Sequence, residues 1–289
     1  MTQRDIRDLL LLGAIWGAAF LFIRIAVPEF GPVALVEVRV IIAALVLLVL
    51  VASRRQMDKF RGHWGPLTLI GAINTAIPFA LFAYATRTVP AGFAAVLNAT
   101  VPLWGAVLGG LFFKETLGRD RAIGLAIGFV GVVVLVARDL TVGGGAMAIG
   151  AALLGSSMYA ASAHLTRRLL PGIPSVTIAA GSLVASSALL AIPTLFLLPA
   201  AQPSVGAWGA TIALALICTG VGYVLYFRLL DNAGATGAMA VTYLIPLFGM
   251  VWGAMFLNER ITAPMLIGCG CILLGVAATT GLLRRSLGR

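Results

Sequence analysis

Charged residues are scarce in this sequence, and their scarcity excludes a water-soluble protein of ordinary composition. Asp, Glu, Lys and Arg make up 10% of the 289 residues, while 61% are hydrophobic. A soluble domain has roughly 25% charged residues. Because so few polar side chains cannot cover a water-facing surface, lipid must be most of the solvent around this chain.

Disulfide, metal-binding and nucleotide-binding signals are also missing. The three cysteines, Cys218, Cys269 and Cys271, all lie in apolar segments. Cys269 and Cys271 are two residues apart, so on a helix their side chains point to different faces. The sequence therefore predicts neither a disulfide framework nor a metal site, and we expect no cofactor. Because it also has no nucleotide-binding loop, we do not expect an ATP-driven pump.

Long apolar runs are what the sequence has instead. Each has about 20 residues, enough to cross a hydrocarbon core of about 30 Å as a helix, whereas a transmembrane β-barrel would show short alternating segments. The runs lie at about 9–27, 33–52, 66–86, 91–113, 121–137, 147–166, 175–197, 207–229, 236–257 and 263–283. The first run is too long for a cleaved signal peptide. We therefore predict an all-α integral membrane protein of ten transmembrane helices.

The net charge of +10 is distributed as in a membrane protein, because the basic residues sit between the apolar runs. If the N-terminus is inside, fifteen of the twenty Lys and Arg lie in cytoplasmic segments, and only Arg87, Arg138 and Arg260 lie on the opposite side. An excess of basic residues marks the cytoplasmic side. We therefore predict a multi-pass protein of the cytoplasmic (inner) membrane, with both termini in the cytoplasm and no nucleic-acid partner.

The second half of the chain repeats the first. A shift of 144 residues superposes, among other identities, Thr75 on Thr219, Ala91 on Ala235, Pro102 on Pro246, Gly105 on Gly249, Glu115 on Glu259, Gly124 on Gly268 and Gly131 on Gly275. We predict one repeat over 1–140 and a second over 146–289, inverted because five spans is an odd number. Inverted repeats are typical of transporters, because one fold in two orientations gives two related packings, one open to each side, with a site where the halves meet.

Residues of both copies form a recognisable pattern. They are Trp16, Gly17 and Phe20 in the first span, Pro32 and Arg39 in the second, then Pro102, Glu115 and Gly131, and in the second copy Pro246, Glu259, Gly268 and Gly275. This pattern resembles the EamA-type repeat of the ten-span members of the drug/metabolite transporter superfamily, and within it the bacterial amino-acid exporters, including the aromatic amino-acid group. The resemblance implies two inverted five-helix repeats around a central cavity. The second copy departs from it where Met158-Tyr159 replaces Trp16-Gly17 and Gly181 replaces Arg39.

Paired helix interruptions indicate where a solute would bind. At 100° per residue, the fourth span places Asn98 and Pro102 on one face with several small residues, and the ninth span has Thr242 and Pro246 in the same positions. Each proline removes a backbone hydrogen bond, so we expect both helices to kink there. Interruptions at corresponding positions of two halves are typical of a transporter's substrate site.

Ten residues make up the expected substrate site, which would hold an amphipathic solute. They are Trp16, Phe20, Asn74, Pro78, Asn98, Pro102, Tyr159, Tyr223, Thr242 and Tyr243. Tyr223 and Tyr243 lie deep enough in their spans that each phenol needs a hydrogen-bond partner. These faces could instead serve only to pack neighbouring helices, and that alternative stays open here.

Few charges lie inside the predicted spans. Arg24 and Glu37 are close to span ends, where we expect snorkelling or a mutual ion pair. Arg39 is about six residues into its span, roughly 9 Å at the helical rise. We expect it to pair with Glu37 or a backbone carbonyl, although it could meet a substrate carboxylate. Glu115 and Glu259 are expected to fix helix ends or to pair locally.

Together these features predict a small-molecule transporter, and the resemblance implies amino acids, including aromatic ones, as the solute. Export of other drugs or metabolites is the alternative; a nucleotide-sugar or sugar-phosphate carrier would need clustered basic residues in the cavity, where only Arg39 is available. Without a deep Asp or Glu, a facilitated or weakly proton-linked carrier is expected. An intramembrane enzyme is disfavoured because Ser157 and His164 are about 10 Å apart along their helix, too far for a hydrogen-bonded dyad. The expected partners are the solute and the lipid bilayer, and we expect a monomer.

Overall fold

The computed structural model describes residues 2–112, 118–137 and 145–280, and these residues form helices joined by short turns. The α-helices are α1 Gln3–Phe30, α2 Pro32–Ser53, α3 Trp64–Gly71, α4 Ile77–Ala85, α5 Ala91–Asn98, α6 Val101–Phe112, α7 Arg119–Val136, α8 Gly145–Leu169, α9 Ser175–Phe196, α10 Val205–Ala213, α11 Gly222–Met239, α12 Val241–Leu257 and α13 Ala263–Thr279. A 3-10 helix spans Met57–Phe60, and π-helical segments span Ala72–Ala76 and Leu214–Val221. Glu115 and Arg138 lie outside the described residues.

The apolar runs account for the helices. In hydrocarbon every backbone N–H and C=O must bond within the protein, which helices achieve within a single segment. Within the described residues, eight helical stretches are long and apolar enough to cross a membrane, and Ala263–Thr279 is apolar but shorter. Helix α7 begins two residues before the predicted 121–137 run and ends one residue before the end of that run. Its first turn holds Arg119, Asp120 and Arg121. The predicted all-helical membrane architecture is confirmed.

Local chemistry sets the ends of the first two helices. Thr2 and Asp5 form a capping box at the start of α1, in which each side chain accepts a hydrogen bond from the other residue's backbone N–H, at 3.2 and 2.7 Å. Gly31 stops α1 with a φ of 71°, a conformation that costs glycine little. Pro32 then opens α2, where its missing N–H is not needed. The chain therefore reverses direction within one residue.

Several of the long apolar stretches are interrupted near their middle. The π-helical segments Ala72–Ala76 and Leu214–Val221 divide the third and eighth stretches, and they overlap when shifted by 144 residues. The fourth stretch breaks between α5 and α6, directly before Pro102. The ninth breaks at Ala240, whereas Pro246 lies inside α12. The second interruption is therefore six residues away from the proline at which the sequence predicts it.

Helices α7 and α13 pack antiparallel through glycines. A Cβ added at Gly131 would lie 2.8 Å from the carbonyl oxygen of Gly268, and one added at Gly124 would lie 2.8 Å from that of Gly275. The shift of 144 residues matches Gly124 with Gly268 and Gly131 with Gly275. Each glycine thus contacts the counterpart of the other, which is the pattern that two units related by a two-fold axis across the helices produce.

The bundle has two chemically different ends, which we name by one residue each. At the Arg228 end, Asp8 of α1 accepts a hydrogen bond from Nε of Arg228 at 2.7 Å and forms an ion pair with its Nη2 at 2.6 Å. Helix α1 runs from there to the Glu259 end, where Arg24 donates to the backbone carbonyl of Thr86. The two ends therefore lie on opposite sides of the apolar layer.

Candidate substrate-binding cavity

A cavity of about 360 Å³ lies inside the bundle, between helices from both halves of the chain. This volume is at the small end of the range for small-molecule pockets, roughly 300–1,000 Å³. Its lining residues are Trp16, Ala19, Phe20, Ile23, Arg39, Asn74, Phe79, Phe82, Asn98, Val101, Tyr159, Cys218, Thr219, Tyr223, Tyr226, Met239, Val241, Thr242 and Ile245. The π-helical segments supply Asn74, Cys218 and Thr219, so the interrupted backbone lies at the cavity wall.

Aromatic rings cover much of the cavity wall. Trp16 packs against Tyr223 and Tyr226, with ring centroids 6.5 and 5.4 Å apart. Its Nε1 donates to the carbonyl oxygen of Cys218 at 3.0 Å, which fixes the indole. Elsewhere in the cavity lining, the ring of Phe82 stacks on that of Tyr159, with ring centroids 6.0 Å apart. The wall therefore suits the apolar part of a solute, with its rings already held in place.

Arg39 supplies the positive charge of the cavity wall. Its Nε donates to Thr219 Oγ1 at 3.0 Å, and its guanidinium carbon lies 3.7 Å from the centroid of the Phe79 ring. The expected pairing of Arg39 with Glu37 is wrong, because Glu37 accepts a hydrogen bond from Ser187 instead, at 2.9 Å. Arg24 and Glu37 do not pair with each other either, since Arg24 bonds elsewhere.

Most of the residues that the sequence nominates for the site meet at this cavity. Trp16, Phe20, Asn74, Asn98, Tyr159, Tyr223 and Thr242 line it. The other three do not. Pro78 is buried, and its carbonyl oxygen lies close to Gly155 of α8. Pro102 lies in the first turn of α6 and is not part of the cavity lining. The hydroxyl of Tyr243 lies 3.1 Å from Oγ1 of Thr280, the residue that follows α13.

Several residues of the lining are not among the ten expected site residues. Arg39 could have been found as a cation well inside an apolar run, but its partner Thr219 is 180 positions away. Phe82 and Tyr226 had a signal, because they share a helix face with Pro78 and Tyr223, four and three residues earlier. Phe79 had none, because an aromatic residue in an apolar helix looks the same whether it faces a cavity, a neighbour or lipid. Its role follows only from the packing.

The Glu259 end closes over the cavity through a contact between the two halves. Glu259 accepts hydrogen bonds from the backbone N–H groups of Ala91 and Gly92 at the start of α5, at 2.8 and 3.2 Å. Asn258 turns the chain there with a φ of 53°, and a Cβ added at Gly253 would overlap the Glu259 carboxylate. Glu259 thus fixes a helix end, as expected, but that helix belongs to the other half of the chain.

The two halves pack unequally near the middle of the bundle. Gly249, at the middle of α12, lies so close to α5 that an added Cβ would overlap the Cβ of Ala95. A Cβ added at Gly105, its counterpart at the shift of 144 residues, would meet no atom of the described residues within 4 Å. The cavity lining also reaches Met239, which is 45% exposed. The cavity lining therefore extends to an exposed residue toward the Arg228 end, whereas the Glu259 contact joins the two halves at the other end.

Comparison with known proteins matches both halves of the chain to one family. The EamA-like transporter family model matches residues 9–137 and again residues 146–281. The chain is 25% identical to a probable amino-acid metabolite efflux pump of Salmonella typhimurium, covering 96% of this chain and 94% of that protein. It is 29% identical to an uncharacterized inner membrane transporter, YedA, of Escherichia coli, covering 94% and 89%. A solved crystal structure aligns with a TM-score of 0.69 over 99% of this chain and all of that one, at 20% identity, and shows the same fold.

Proposed function

Because the chain belongs to the EamA-like transporter family, we propose that it is an alternating-access carrier that exports small metabolites, above all amino acids including aromatic ones, across the inner membrane. The single observation that carries this proposal is the cavity between the two halves. It joins an aromatic wall to one guanidinium and two amides, those of Asn74 and Asn98. This combination suits a solute with an apolar side chain and a polar, charged end.

Alternating access follows if the two repeats, 1–140 and 146–289, are inverted copies. The exchanged glycine contacts between α7 and α13 support a two-fold relation between them. The unequal packing of Gly105 and Gly249 supports one asymmetric state of such a pair. When the halves exchange these packings, the Arg228 end would close and the Glu259 end would open.

The direction of export rests on the predicted orientation. The excess of basic residues places both termini and the Arg228 end in the cytoplasm, so the structure would be an inward-facing state that loads solute from inside. The name of the Salmonella relative, a probable amino-acid metabolite efflux pump, supports amino acids as solutes. Phosphorylated solutes fit less well, since Arg39 is the only Lys or Arg among the residues that line the cavity.

Uptake into proteoliposomes tests the proposal. Purified protein in vesicles preloaded with one unlabelled solute should take up the same solute in labelled form, for amino acids but not for nucleotide sugars. Asn98→Ala should slow this exchange, whereas Asn232→Ala, which changes an exposed amide outside the cavity, should not. Exchange of no solute above protein-free vesicles would contradict the proposed function.

A further inference from the structure

Arg39 is a buried cation that has no counter-charge among the residues that the structure describes. Its side chain is 7% exposed and lines the cavity. No Asp or Glu of the described residues forms an ion pair with it; the acidic residue nearest in sequence, Glu37, bonds to Ser187. A charge removed from water is costly unless it is paired, and a charged residue inside a membrane span usually serves function. We therefore expect an anionic partner for Arg39 that the described part of the chain does not supply.

The guanidinium is held so that one edge stays free. Thr219 takes the Nε hydrogen, and Phe79 covers one face of the plane. A guanidinium has five N–H groups in a fixed fork. The four on the two Nη atoms have no acceptor among the described residues. An edge of two parallel N–H groups matches the two oxygens of a carboxylate.

The second half of the chain has no arginine at the equivalent position. Thr75, the counterpart of Thr219, is buried, and its hydroxyl has no hydrogen-bond partner among the described residues. Gly181 stands where the second copy would have an arginine. The space beside Gly181 is taken by Leu67, whose Cδ1 would lie 2.8 Å from an added Cβ. One half thus packs this position with aliphatic atoms, while the other directs a cation into the cavity.

We propose that Arg39 binds the carboxylate of the transported solute through both Nη groups, and that it restricts the carrier to small carboxylates with an apolar side chain. Free amino acids would pass, whereas their esters and decarboxylated amines would be excluded. The apolar part of the solute would lie against the ring wall of Trp16, Phe82 and Tyr159. This inference rests on the proposed function, because it names the chemistry that the same cavity selects.

Competition in the vesicle exchange tests this selectivity. Uptake of labelled phenylalanine would be competed with unlabelled phenylalanine, 3-phenylpropionate, phenylalanine methyl ester and phenethylamine. In the unaltered protein the two carboxylates should compete at concentrations at least about tenfold lower than the ester and the amine, the effect of losing one charge-assisted bond. In Arg39→Gln this difference should disappear, and Arg39→Lys, which keeps the charge but loses the fork, should restore part of it.

Two further variants separate binding from structure. Arg24→Gln removes an arginine that bonds to the Thr86 carbonyl outside the cavity lining, and it should leave the order of competitors unchanged. Thr219→Val leaves Arg39 in place but removes the acceptor that positions it, so competition by carboxylates alone should weaken. Thr219 is a positioning residue in this scheme.

Each outcome bears on the inference. Equal competition by phenylalanine and phenethylamine in the unaltered protein would overturn the role of Arg39 while leaving transport established. Equal weakening of all four competitors in both Arg39→Gln and Thr219→Val would also overturn the role of Arg39. It would show that the contact between the two residues only supports the structure of the cavity. If no labelled amino acid, sugar or amine exchanged at all, the proposed function itself would fail.

Discussion

Replacing Glu259 with glutamine should open the end of the bundle that the structure shows closed. The carboxylate of Glu259 accepts one hydrogen bond on each oxygen, from Ala91 N–H and Gly92 N–H. Glutamine has the same shape but only one acceptor oxygen, and its amide group would face an N–H donor. One of the two bonds is therefore lost, together with the negative charge at the start of α5.

The size of the effect can be worked from these contacts. A hydrogen bond to a charged group contributes about 1.5–3 kcal/mol net. Since about 1.4 kcal/mol corresponds to a factor of ten, losing one such bond should shift the equilibrium between closed and open forms of this end by roughly tenfold to 150-fold. The chain should otherwise stay folded, because the contact joins two helix ends and not the core.

Spin labels can measure this shift. Cysteines at Thr88 and Ile261, both exposed and on opposite sides of the contact, would carry the labels in a background whose three native cysteines are changed to serine. The unaltered protein should give one short distance, and Glu259→Gln should add a longer one. Glu29→Gln is the matched control, because Glu29 accepts from Ser204 at the same end without joining α5 to α12. An unchanged distance distribution in Glu259→Gln would refute the reasoning.

Two stability predictions follow from the packing. Gly131→Ala would place a Cβ 2.8 Å from the Gly268 carbonyl oxygen, and since backbone cannot move aside easily it should cost about 1–3 kcal/mol. A thermal melt should show this loss. Gly150→Ala is the control, because an added Cβ there meets no described atom within 4 Å, and it should melt at the same temperature or slightly higher. Asp8→Asn should lower the melting temperature, because it removes a buried charged acceptor of Arg228; the Asp8 side chain is 1% exposed. A hydrogen bond to a charged group contributes about 1.5–3 kcal/mol. A melting temperature equal to that of the unaltered protein would contradict this prediction.

The sequence was informative where one physical constraint acts on a whole segment. In hydrocarbon a crossing segment must be a long apolar helix, so the all-helical membrane architecture could be predicted from the long apolar runs. Proline marks a break only in part, since the interruption before Pro102 lies where expected but that of the ninth stretch is at Ala240. The π-helical segments could not be predicted. A change from i→i+4 to i→i+5 backbone hydrogen bonds over one or two turns does not require any particular residue type.

Contacts between distant residues were beyond the sequence. Arg39 and Thr219 are 180 positions apart, and Glu259 and Ala91 are 168 apart, so no local pattern pairs them. The rotation of a helix with apolar residues all round is equally hidden. Tyr243 illustrates this, since its neighbour Thr242 lines the cavity while its own hydroxyl contacts Thr280, the residue that follows α13.

Filling the cavity tests most directly whether solute passes through it. Ala19 lines the cavity and is 9% exposed, so Ala19→Trp should occupy much of its roughly 360 Å³. In vesicles of the unaltered protein, uptake of labelled phenylalanine should speed up when unlabelled phenylalanine is present inside, and Ala19→Trp that elutes and melts like the unaltered protein should lose this stimulation. Equal stimulation in the filled variant would mean that solute takes another path, and the account of the central cavity would be contradicted.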